Sequence, residues 1–119
     1  MPSSLLVTNI GRAVTQTLED RGPVPEPLGE LVSRIGLLPL AEDAEAGRKI
    51  GIWECTPGRW PRQQKAAEFA VIVSGQCRFT PTEGPEAEFG PGDVVYFPEN
   101  TTGIWDVSET IRKIYLIMS

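Results

Sequence analysis

From Lys49 onward the apolar residues fall in short runs that alternate with polar ones and are broken every few positions by glycine or proline. This pattern predicts strands, not helices. Residues 50–56 read as a strand closed by the Pro57-Gly58 turn, and residues 60–67 as a loop. Residues 68–74 read as a strand, Gly75-Gln76 as a tight hairpin turn and residues 77–80 as its return strand. After a turn at 82–85 and a short strand at 86–89 comes the most legible stretch, Phe89-Gly90-Pro91-Gly92-Asp93 followed by Val94-Val95-Tyr96-Phe97-Pro98. Two glycines around a proline, with an aspartate able to bond nearby amides, specify a turn. The four residues after it have no polar member, which suits a strand covered on both faces, and Pro98 stops it. A loop at 99–102, a strand at 103–107, a turn at 107–109 and a long apolar strand at 110–118 complete the chain. The implied fold is an all-β sandwich or barrel.

The N-terminal third is less regular. Residues 1–27 hold an apolar patch from Leu5 to Ile10 and then Pro23, Pro25 and Pro27 at alternate positions, which predicts an extended arm across the core or a neighbouring subunit. Residues 28–40 suit a short helix or a strand equally. Residues 41–47 have helix-forming composition but suit an acidic surface loop. The expected organisation is an arm and connecting segment over 1–46 and one β-domain over 47–119.

Length and composition narrow the function classes. A chain of 119 residues with 12 glycines and 11 prolines supports one turn-rich core. A net charge of −5 disfavours nucleic acid or an anionic membrane as partner, and the cluster Arg59, Arg62, Lys65 reads as a solvated loop or a small anion site. No apolar stretch is long enough to span a bilayer, and the first residues lack the pattern of a signal peptide, so a cytoplasmic location is expected. Cys55 and Cys77 are expected to be free thiols. Histidine is absent, which removes the commonest general base and metal ligand.

Two half-motifs then stand out. Glu68, six residues and Gly75 match the end of the first cupin motif, and Gly92, five residues and Pro98 match the start of the second. The run from Gly51 to Gly58, Glu68-Phe69, Gly103-Ile104-Trp105 and Arg112-Lys113-Ile114-Tyr115 resemble the DUF861 group of cupins, which includes ureidoglycine aminohydrolase domains and ethanolamine-utilisation cupins. The resemblance covers about residues 47–118. It implies a single-domain cupin jelly-roll β-barrel that pairs into homodimers, with a metal-binding carboxylate at Glu68.

The histidine positions of the pattern fall on Arg62 and Gln64, or on Pro61 and Gln63, and Gly103 stands where the last histidine belongs. Asn100 replaces a glycine, a tolerable change because asparagine also enters the left-handed region. One carboxylate makes a weak transition-metal site, to which Gln64 would add an oxygen and Cys77 a thiolate only if they converge on it. No metal and no cofactor are expected. If Glu68 points inward, Ala70 and Ile72 follow it, and Phe69, Val71 and Val73 face out and need cover from an arm or a second copy, with Tyr115 and Ile117 extending that face.

The expected site is an aromatic-walled cavity of Trp53, Trp60, Arg62, Gln64, Glu68, Tyr96 and Trp105. Glu68 is the candidate catalytic or binding group, or else an ion-pair partner of Arg62. Of Arg112 and Lys113, adjacent on a strand, one is expected to reach the cavity. The first functional reading is metal-independent binding of a small polar or acidic molecule. The alternatives are a metal-dependent aminohydrolase-like enzyme and a structural dimerisation domain whose barrel is plugged by its own side chains.

Overall fold

The computed structural model describes residues 5–119. Residues 1–4, which belong to the expected arm, lie outside the described residues. One short helix, α1 (Ile10–Thr15), precedes eight strands: β1 (Glu19–Pro23), β2 (Arg34–Asp43), β3 (Arg48–Cys55), β4 (Gly58–Gln64), β5 (Ala67–Pro81), β6 (Ala87–Phe89), β7 (Val94–Phe97) and β8 (Thr101–Met118). All pairings are antiparallel.

Two long bent strands organise the molecule. The C-terminal half of β8 pairs β3 on one side and the first half of β5 on the other, and the layer is extended by β2 and β1 at one edge and β7 at the other. The N-terminal half of β8 pairs β4 and the second half of β5, which in turn pairs β6. The same two strands therefore run through a larger and a smaller layer that face each other across the core. The hydrogen-bonded order runs from β1 to β6 without joining its ends, so the expected barrel is not closed by hydrogen bonds.

The bend corrects two expected turns. Gly75-Gln76 is no hairpin: β5 continues through it, with register shifts between Ile72 and Cys77. The inward residues of β5 are Glu68, Ala70 and Ile72 before the shift and Cys77 and Phe79 after it, a change from even to odd that one extra residue in a strand produces. Gly75 has φ 90° and its Cα lies against the backbone of Thr110 and Ile111, where any Cβ would collide with the Thr110 carbonyl oxygen. The turn expected at 107–109 is likewise part of β8, in which odd residues are buried on both sides of the exposed positions 108–110, at Trp105 and Val107 before them and at Ile111, Lys113 and Tyr115 after them. A third correction concerns residues 60–67, expected as a loop. Gly58–Gln64 is a strand, because Trp60 and Gln64 alternate inward against Trp105 and Thr101 of β8.

The turn at Gly90-Pro91-Gly92-Asp93 forms as its sequence demands. Asp93 Oδ2 accepts from Gly90 N at 2.9 Å, and Gly92 takes φ 90°. Asn100 adopts φ 62°, the left-handed conformation expected of it. β7 is not covered on both faces, however. It is an edge strand pairing β5 alone, and Val94 and Tyr96 are each 60% exposed.

The expected N-terminal arm is also revised. Residues 19–23 and 34–43 are strands of the larger layer, and α1 packs Ala13 against Ile52 and Val73 on that layer's outer face. Val73 gains its cover there, while Phe69 stays 42% exposed. Tyr115 and Ile117 do not extend this face. They lie opposite Ala70 and Glu68 and point into the core.

Candidate functional site

The core between the layers is an aromatic cluster built on alternation. Trp53 of β3, Phe79 of β5, Phe89 of β6, Phe97 of β7 and Trp105 of β8 all occupy inward positions, and Trp105 stands within 5.2–5.8 Å, ring centre to ring centre, of the other four. Each strand thus contributes one ring to a shared wall.

Glu68 and Lys113 lie inside this wall. Glu68 is 1% exposed and Lys113 2%, and Lys113 Nζ stands 2.5 Å from Glu68 Oε2. That oxygen has the ammonium as its only partner. The ammonium also faces three rings, with Nζ 4.3 Å from the centre of Trp53, 5.3 Å from Phe97 and 5.4 Å from Trp105. The negative faces of the rings and one carboxylate replace the water a lysine normally keeps. Burial pulls the Lys113 pKa down, and Glu68 opposes that pull.

A polar chain leads outward from the pair. Gln64 Nε2 donates to Glu68 Oε1 at 2.6 Å, and Arg62 Nε donates to Gln64 Oε1 at 3.2 Å. The Arg62 guanidinium lies 5.6 Å from the Trp60 ring and 6.0 Å from Trp53. Arg62 is half-buried and, among the described residues, makes no ion pair. Desolvation lowers its pKa more than Glu68 and Cys55 raise it. Two buried indole N–H groups, Trp60 Nε1 and Trp105 Nε1, also lack an oxygen acceptor. The region therefore holds two cations, one carboxylate and a surplus of donors.

Of the residues expected to line a cavity, Trp53, Trp60, Gln64, Glu68 and Trp105 come together as packed core, with Arg62 at their edge. Tyr96 stands apart on the outer face, because β7 turns Phe97 inward opposite Glu68. The expected Glu68–Arg62 contact runs through Gln64, and the direct partner is Lys113. Sequence reasoning left Lys113 undecided against Arg112. The odd parity shared by Trp105, Val107, Ile111 and Tyr115 was the signal that assigns Lys113 to the interior.

A concavity of about 530 Å³ lies elsewhere. It is formed mainly on the outer face of the smaller layer by Pro61, Gln63, Thr80, Thr82, Thr102 and Ile104, and of the polar chain only Arg62 borders it. A transition metal, which the cupin pattern implies, does not fit the residues at Glu68. The carboxylate is engaged by Lys113, and among the described residues no group of three or more cysteine, aspartate and glutamate side chains gathers. Burial also pushes the Cys77 pKa up to about 12, which opposes formation of a thiolate there.

Comparison with known proteins follows the same lines. The EutQ-like cupin domain family matches residues 42–115. Among solved structures, a DUF861-family protein of unknown function from Pseudomonas syringae superposes with a TM-score of 0.76 at 22% identity, over 87% of this chain and 45% of that one. The EutQ protein of Clostridium difficile gives 0.63 at 16% identity, over 72% of this chain and 68% of that one. A putative ethanolamine utilization protein from Salmonella typhimurium gives 0.64 at 14% identity, over 87% and 98%. The chain spans less than half the length of the Pseudomonas protein. It matches no curated protein in sequence.

Proposed function

Since the chain belongs to the EutQ-like cupin family, we propose that it is a metal-independent cupin that binds a small organic anion at the rim of its core through Arg62. The observation that carries this reading is the charge imbalance. Arg62 and Lys113 share one carboxylate, Glu68, and Lys113 takes it at 2.5 Å. A guanidinium that is partly stripped of water and left without a counter-ion is unfavourable by itself, and a carboxylate from solution would correct both the charge and the unused Nη donors. Gln64 holds the guanidinium through Nε and leaves its terminal nitrogens free for a bidentate contact. Arg62 is also one of the residues that line the concavity of about 530 Å³.

The test is isothermal calorimetry against a panel of small mono- and dicarboxylates, with neutral amides of the same shape as controls. At least one acid is expected to bind and its amide not to. Arg62→Ala is expected to weaken binding by roughly 10–100-fold, the worth of a charge-assisted contact, while the protein stays folded. Absence of binding across the panel, or binding indifferent to Arg62→Ala, would exclude this reading.

A further inference from the structure

We infer that the centre of the fold is a cation cage whose resident cation is the chain's own Lys113 ammonium, occupying the place that the cupin pattern assigns to a metal ion. Three observations converge on it. Glu68, the one carboxylate of the metal motif that survives in this sequence, turns its Oε2 to Nζ and to no other donor. The walls around Nζ are the faces of Trp53, Phe97 and Trp105, which attract a cation by their quadrupoles but offer no lone pair for coordination to a transition metal. Lys113 also enters from β8, the strand that forms the bend between the layers, so its Cα is held by pairing to Trp53 on one side and Ile72 on the other. The sequence thus lacks the histidines of the pattern, and from another strand it places a cation on a covalent tether beside Glu68.

This assignment differs from ordinary core filling in one respect: it requires charge at the tip, not merely volume. It is independent of anion binding at Arg62 and survives if that reading fails.

The experiment uses the full chain with Lys113→Ala, which removes the methylenes and the ammonium and leaves Glu68 facing a vacated channel. Added n-propylammonium replaces the deleted atoms. It is expected to raise the melting temperature of Lys113→Ala in a saturable manner, as a ligand of the native state does, and to leave the wild type unmoved. n-Butanol, of similar length and uncharged, is expected to have little effect, and Glu68→Gln in the Lys113→Ala background is expected to abolish the advantage of the amine. If Lys113→Ala does not fold unaided, the same additives are compared by refolding yield from urea. Equal rescue by n-butanol, or no rescue by the amine in either format, would overturn the cage. A parallel measurement needs no variant. Wild-type protein dialysed against Mn²⁺, Ni²⁺ or Zn²⁺ is expected to retain no stoichiometric metal, and Glu68-dependent retention of one equivalent would overturn it as well.

Discussion

Arg112 and Lys113 are neighbours on one strand, each paired with a glutamate, and they live in opposite worlds. Arg112 points to the outer face. Its Nε and Nη2 hold Glu54 Oε1 at 3.0 and 2.7 Å, while Nη1 donates to the carbonyls of Ala13 and Gln16 at 2.7 Å each, tying the end of α1 to the sheet. Lys113 points inward to one carboxylate and three rings. A guanidinium has a fork of donors that can satisfy a helix end and a carboxylate together, whereas an ammonium is a compact charge that fits a cage. The outer pair keeps partial contact with water and works as a clamp. The inner pair has no water to fall back on, so each partner depends wholly on the other.

This contrast predicts the size of three effects. The largest belongs to the inner pair. Glu68→Gln or Lys113→Met alone leaves an uncompensated buried charge and is expected to lose about 3–5 kcal/mol in urea unfolding, while the double substitution recovers most of that loss. Additive losses would show that the two residues do not form one unit. The outer clamp comes next. Arg112→Met is expected to cost about 1–3 kcal/mol, the range for hydrogen bonds to a charged group, and to speed proteolysis and amide exchange within 5–18 while the core stays protected. Equal loosening of α1 and the core would contradict the division between the two sides of β8.

The smallest effect at neutral pH concerns an inward residue without a partner charge. Cys77 has a folded pKa pushed up to about 12 from an ordinary value of 9.0 by burial. Its contribution is fully present below 9.0 and is lost as pH rises toward the folded value, because the unfolded thiol releases its proton first. Stability is therefore expected to fall between about pH 9 and 12, and Cys77→Ala should show a shallower fall over that window than the wild type. Parallel curves would remove Cys77 from the alkaline transition.

The comparison also shows what could be read in advance. The turn at Gly90 to Asp93, the stop at Pro98 and the left-handed Asn100 follow from local chemistry, since the residues that set each conformation are adjacent in the chain. The inward set Glu68, Ala70, Ile72 follows from alternation, which strands impose whatever surrounds them. The hairpin expected at Gly75 failed because glycine serves a turn and a bulge alike, and what distinguishes them here is the Thr110 backbone lying against it from 35 positions away in sequence. Tyr96 was read as a cavity residue because an all-apolar run carries no alternation, and only the edge position of β7 decides which of its faces meets water.

The family and the all-β character were therefore carried by residues close together in the chain, and Glu68 was marked as unusual by being a charge among apolar neighbours. Its partner was not. Whether Glu68 meets Arg62, a metal or Lys113 depends on which strands lie beside it. That is set by long-range pairing of β5 with β8, whose paired positions Glu68 and Ile117 are nearly fifty residues apart. A one-dimensional pattern records which way a side chain points from its own strand. It takes the packed layers to record what that side chain meets.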